Sequence, residues 1–243
     1  MSLLEVVVYD VCSAITAAAC GVDRLEVCDN YYEGGTTPSL GTVSTLKEKL
    51  AIPIFPMIRP RGGDFLYNEE EVELMARDIK AFKDLGCEGV VLGILNKDGN
   101  VNYELLCKLV EQAYPLDVTF HRAFDRTNNF DIAIQQIHQA GCKRILTSGG
   151  YPTVKEGIEE LKRIKLIAEN KISIVAGGGV NSAVIPSLLS IGIDEIHTPA
   201  KKMKPSDMEY LNHHMKETLE HYSIDIEELQ NMVSLVKADN INI

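Results

Sequence analysis

The sequence predicts a (β/α)8 barrel, and three observations carry that prediction. Eight short runs rich in Val, Ile and Leu recur along the chain, and a stretch with helical apolar spacing follows nearly every one. Where the runs end, apolar residues give way to reactive ones: Glu26 and Cys28, Arg59 and Arg61, His121 and Arg122, Thr147 and Ser148, His197. The chain is 243 residues long, close to the ~250 typical of one such barrel. A barrel gathers all its strand ends on one face, so these distant residues would meet at one mouth. The rival, a doubly wound open sheet, concentrates polar residues at a switch point rather than at many strand ends.

The first strand covers 4–10, and the Ala-rich stretch after it reads as a helix that runs up to Gly21. A second strand spans 24–29. Residues 30–41 hold Gly34-Gly35-Thr36-Thr37-Pro38, turn-forming types, before a short helix to Leu50. Pro53 and Pro60 bracket a third strand at 54–59, positions where proline is tolerated beside a strand. Val72, Met75, Ile79 and Phe82 recur at core spacing in a helix over 69–85, which Gly86 closes. A fourth strand at 89–95 turns through Asn96-Lys97-Asp98-Gly99 into a helix at 103–114. The fifth strand, 117–123, leads to a helix at 130–140 that ends at Gly141. The sixth strand is 144–147 with its helix at 154–169, and the seventh is 172–176. A short helix ends at Gly192, and the eighth strand is 195–198. The tail carries an amphipathic helix around 226–236. No Gly/Ser/Pro-rich linker divides the chain, so one domain is expected over 1–243, with the barrel at about 4–200 and a helical segment at 201–243.

The formal charge of −11 argues against a surface that neutralises nucleic-acid phosphates, and against an anionic membrane as partner. The longest apolar runs are under half the ~20 residues a membrane span needs. Cys12, Cys20, Cys28, Cys87, Cys107 and Cys142 form no CxxC pair, and no basic leader precedes the first strand. Reduced thiols in a cytoplasmic protein are expected. HExxH, GxxxxGK[ST] and a complete GxGxxG are all missing, so neither structural zinc nor a nucleotide cofactor is expected. Lysine is missing from the ends of strands one to seven, apart from Lys97 in a loop, which argues against Schiff-base chemistry.

Side chains alternate faces along a strand, so Glu26 shares a face with Cys28, Met57 with Arg59, and Thr119 with His121. Pointed inward, Glu26, Arg59, His121 and His197 supply a base, an acid and an anion clamp, the set that general acid–base catalysis uses. Structural alternatives stand beside each role. Glu26 could pair with Arg59, and Glu5 could pair with an arginine deep in the barrel. Arg122 faces away from His121 and would pin a loop. His138 belongs to a helix surface or core, while His213, His214 and His221 fall in the tail, where exposure is expected. The turns Thr147-Ser148-Gly149-Gly150 and Gly177-Gly178-Gly179 could bring backbone N–H groups to an anion, with Arg61 as a further cation. The anion-binding set is thus Arg61, Ser148, Gly149, Gly150, Gly178 and Gly179. The same glycines could serve only tight strand-to-helix turns.

Several strings, in order, resemble the CutC copper homeostasis family. They are Asp23-Arg24-Leu25-Glu26-Val27-Cys28, Glu33-Gly34-Gly35-Thr36-Thr37-Pro38-Ser39, and Met57-Ile58-Arg59-Pro60-Arg61-Gly62-Gly63-Asp64-Phe65. Val118-Thr119-Phe120-His121-Arg122-Ala123-Phe124-Asp125, Arg144-Ile145-Leu146-Thr147-Ser148-Gly149-Gly150 and Gly177-Gly178-Gly179-Val180 complete the set. The resemblance implies a cytoplasmic (β/α)8 barrel, a homo-oligomer (dimer or tetramer), and a link to copper. It also implies Cu(I) bound by two cysteines, one on the first strand and one ending the second. The second corresponds to Cys28, but the first position here is Val7. Cu(I) prefers thiolate or thioether ligands, so Cys12, just past the first strand, or Met57 would have to partner Cys28. The alternative is an enzyme acting on a small anionic, phosphorylated or polyhydroxy substrate. The residues shared with the family, Arg, His, Asp and Gly, favour that chemistry.

Overall fold

Strand residues are buried on both faces, as a parallel sheet wrapped by helices requires. On the first strand Leu4, Val6 and Val8 join the core beneath the helices, while Val7 joins a separate cluster with Cys28, Phe55, Met57 and Val91 inside the ring. The computed structural model describes residues 2–212, 214–216 and 218–241. Eight parallel strands alternate with helices: β1 (Leu3–Val8), α1 (Val11–Ala19), β2 (Arg24–Val27), α2 (Leu40–Lys49), β3 (Ile54–Pro56), α3 (Glu69–Asp84), β4 (Gly89–Leu92) and α4 (Tyr103–Ala113). There follow β5 (Asp117–Phe120), α5 (Phe130–Gln139), β6 (Arg144–Thr147), α6 (Ile158–Ala168), β7 (Ser173–Gly177), α7 (Ile185–Ser190) and β8 (Glu195–Thr198).

Their order is β3-β2-β1-β8-β7-β6-β5-β4. A single bridge from Met57 to Val91 joins the two ends, with Ile58 N–H donating to the Val91 carbonyl at 2.7 Å. The expected barrel is therefore present and nearly closed, with its narrowest seam between β3 and β4.

Most strands stop several residues short of the ranges read from the sequence, for a local reason. Asp10 is not strand: its carboxylate caps α1 by accepting from Ser13 N–H at 2.8 Å. Arg59, Leu95 and Arg122 likewise lie past the ends of their strands and line the mouth. α6 begins at Ile158 rather than 154, because Gly157 lies against the Ser148 carbonyl, where a Cβ would sit 1.9 Å from the oxygen. α3 matches its expectation closely, and Asn68 and Glu71 form a reciprocal capping box at its start.

The tail differs from a purely helical segment. An antiparallel pair, β9 (Lys201–Lys204) and β10 (His221–Ile224), precedes α8 (Ile226–Ile241). Lys-Lys-Met-Lys lacks the apolar alternation that marks a strand, His-Tyr-Ser-Ile is only four residues long, and sixteen residues, 205–220, separate them. α8 buries Leu229, Met232, Val233 and Val236, and Asn240 bonds both backbone groups of Ser2, tying the chain ends together. Among the described residues no helix is long and apolar enough to cross a membrane.

Candidate functional site

The barrel floor is an ion network. Arg24 of β2 bonds Glu5 of β1 and Glu195 of β8, and Arg144 of β6 bonds Glu195 at 3.0 Å and Asp117 at 2.9 Å. Both guanidinium groups lie over the Phe55 ring, 4.8 and 5.1 Å from its centre. Arginines from strands that do not pair converge on one ring, so these side chains fill the interior. Gly89 makes the space for that ring, since a Cβ there would sit 2.1 Å from Phe55.

Above the floor lies an acidic centre. His197 Nδ1 and Glu5 Oε1 are 2.7 Å apart, and Glu5, Glu26 and His197 each offer a ligand atom within 4.8 Å of the others. Glu26 Oε1 accepts from the Cys28 thiol at 3.4 Å, whereas its Oε2 is buried without a partner. Burial opposes ionisation of Glu5, but the charge of Arg24 and the bond to His197 hold it well below the usual carboxylate range. Glu26 has no such cation in contact, and burial lifts it well above that range. Burial also works against a charged His197, yet Glu26 and Glu5 raise it above its usual value. Cys28 is pushed well up by burial and then by Glu26, so its thiol stays protonated.

At the mouth, Ala123 N–H donates to His121 Nδ1 at 3.1 Å. Burial, aided by the Arg59 charge, lowers the imidazole to about 3. His121 is thus neutral, with its proton on Nε2, and that buried N–H has no partner. Gly93 creates the room, because a Cβ there would meet the ring at 2.5 Å. Phe65 packs against His121 at 4.8 Å between centres, and its other neighbour is the Arg59 guanidinium at 5.1 Å. Thr119, one layer below, also buries an unpartnered hydroxyl.

Phe65 and Arg59 lead into an open basin of about 1090 Å³. Its rim sets Arg59, Lys97, Arg122 and Arg126 against Glu33, Asp64 and Asp125, a cationic balance in an acidic chain. Beside it, Tyr31 and Tyr222 pack 4.0 Å apart, and Lys201 stands 4.0 and 4.3 Å from their centres, roofing the β1–β2 side.

The sequence candidates separate. Glu26, His197 and Cys28 meet in the interior, and His121 stands at the mouth near Arg59. Arg59 neither pairs with Glu26 nor offers its fork to a ligand. Its Nη1 donates to the Glu33 and Gly35 carbonyls and its Nη2 to that of Gly63, joining the loops after β2 and β3. Arg61 is similarly engaged by Glu71, Asp64 and the Leu66 carbonyl. Cys12 is exposed on α1, apart from the buried cluster holding Cys28. Met57 does join Cys28: both reach Gly35, where a Cβ would lie 3.0 Å from Cys28 Sγ and 3.7 Å from Met57 Cε. His138, His214 and His221 are exposed, and His213 lies outside the described residues.

The turn after β6 does hold an anion, but it is the chain's own. The Asp125 carboxylate accepts from Ser148 N–H at 3.2 Å, Gly150 N–H at 2.9 Å and the Thr147 and Ser148 hydroxyls. Gly149 N–H turns instead to Thr147 Oγ1 at 2.9 Å. Arg122 closes the arrangement, bonding Asp125 at 2.8 Å, the Ser148 hydroxyl and the Tyr151 carbonyl. Gly178 and Gly179 pack against this unit, Gly178 beside Ser148 and Arg122 and Gly179 beside Thr153. Sequence reasoning passed over Asp125, although its place three residues after Arg122 was a signal.

The CutC family model matches residues 2–202. The chain is 41% identical over 210 residues to a CutC family protein of Klebsiella pneumoniae, covering 86% of this chain and 85% of that one. It is 41% identical over 211 residues to a human protein named copper homeostasis protein cutC homolog, covering 86% of this chain and 77% of that one. A solved CutC structure from Streptococcus agalactiae superposes with a TM-score of 0.78 at 31% identity, covering 82% of this chain and 99% of the other.

Proposed function

The chain belongs to the CutC family, and from that premise we propose that it serves copper homeostasis through acid–base chemistry on a small anionic or polyhydroxy substrate. The observation that carries this reading is a pair of buried, unpartnered atoms of opposite character, the Nε2–H donor of His121 and the Oε2 acceptor of Glu26. An unsatisfied buried polar group costs about 1–3 kcal/mol, so a fold that retains both favours ligand groups that satisfy them, one at the mouth and one in the interior. A neutral imidazole donor polarises a carbonyl or phosphoryl oxygen, while a carboxylate takes a proton. The cationic rim of the basin favours an anionic group on the incoming molecule.

The test is proton NMR in D2O with a panel of sugar phosphates and α-hydroxy acids. Wild type is expected to exchange a substrate C–H for deuterium, and Glu26→Gln and His121→Ala to slow that exchange by about 100-fold or more. No exchange across the panel, or equal rates in all three proteins, removes the reading.

One observation favours a second reading, in which Cu(I) is the cargo: Cys28 and Met57 converge on Gly35. A two-thiolate site does not fit this chain, since Val7 occupies the strand position beside Cys28. One thiol and one thioether remain as soft donors, and the thiol must lose a proton that burial and Glu26 retain. In an anaerobic titration against a Cu(I) chelator, Cys28→Ser and Met57→Leu should each weaken copper retention. Unchanged retention in both variants excludes this pair.

A further inference from the structure

We propose that the centre of the barrel is a divalent-cation site, with His197 Nε2 and the free oxygen of Glu26 as ligands and Glu5 as the group that orients the imidazole. Glu5 has one oxygen on His197 Nδ1 and the other on Arg24, so it is fully engaged and faces His197 as an acceptor. In the neutral form that metal binding requires, the Nδ1 proton points at Glu5 and Nε2 carries the lone pair, with no partner among the described residues. A carboxylate that holds the far nitrogen of a histidine is the usual support of a metal-bound imidazole.

Glu26 supplies the second ligand. Its Oε2 is unpartnered in a residue only 3% exposed, and the ligand atoms of Glu5, Glu26 and His197 lie within 4.8 Å of one another. The Cys28 thiol holds the other oxygen of Glu26 at 3.4 Å and so helps aim the carboxylate. Gly177 leaves room for the ring of His197, since a Cβ there would press on its Cβ and Cδ2 at 3.1 Å. The centre is not wholly sealed, as the His197 side chain retains 10% exposure.

Local charge agrees. Arg24 and Arg144 are balanced by Glu5, Glu195 and Asp117, so the carboxylate of Glu26 has no fixed cation in contact. Carboxylate and imidazole donors suit Mn2+, Fe2+ or Zn2+ rather than Cu(I). The inference deepens the acid–base reading, because a cation there would polarise a substrate oxygen or lower the pKa of bound water. It can nonetheless stand or fall alone, since its test reads binding and not turnover.

The experiment is a titration of chelator-treated full-length protein with Mn2+, followed by the EPR signal of the free ion. Wild type is expected to take up one ion per chain. Glu26→Gln should weaken uptake at least about tenfold, the lower end of what even an outer-shell loss costs, and His138→Gln, at an exposed position on α5, should leave it unchanged. His197→Gln gives the same comparison if the Glu26 variant does not fold. Equal uptake by wild type and a folded ligand variant overturns the proposal. So does an anomalous-difference map of Mn2+-soaked crystals with peaks only away from Glu26 and His197.

Discussion

Arg24→Met should destabilise the fold by about 3–5 kcal/mol, the cost of breaking a buried ion network from one side. Arg24 is 4% exposed and bonds both Glu5 and Glu195. Glu195 keeps Arg144 at 3.0 Å after the change, so Glu5, at 1% exposure, bears most of the loss. Urea unfolding of the single variant and of Glu5→Gln/Arg24→Met separates charge from shape. If the unpaired carboxylate causes the loss, the double variant recovers part of it. A single-variant loss below about 1 kcal/mol, the scale of an exposed pair, would mean that Arg24 is not the keystone of the floor. The effect should reach the centre as well, because Glu5 loses the group that fixes it against His197.

What the sequence disclosed follows from which properties depend on spacing alone. Strand alternation was enough to send Glu5, Glu26 and Thr119 inward, because the period of two is a property of the backbone. His121 at a strand end was legible for the same reason. Arg59 was not, because its side chain is long enough to turn back onto three loop carbonyls whose positions no spacing rule predicts. Cys12 failed as a partner for Cys28 because Asp10 ends the strand and starts a helix, which carries position 12 out of the barrel wall. The β9–β10 pair lay hidden because lysines dominate one strand and the other is distant in sequence.

Asp125→Ala should destabilise the protein by about 2–4 kcal/mol, and an added small anion should restore part of the loss. Charge-assisted hydrogen bonds contribute about 1.5–3 kcal/mol each and do not simply add. The carboxylate of Asp125 is 6% exposed and gathers Thr147, Ser148, Gly150 and Arg122 around it. Removing it leaves their donors converging on a gap the size of a carboxylate. Formate or phosphate should raise the melting temperature of the variant more than chloride at equal ionic strength, with no such difference in wild type. Equal responses to all three salts would show that the turn is held by its glycines alone and was never an anion nest. A specific response would mean that the phosphate-type pocket read from Ser148, Gly149 and Gly150 exists but is already filled from within. An anionic substrate would then have to seat its charge elsewhere on the rim, where Lys97 and Arg126 reach the basin without a carboxylate partner among the described residues.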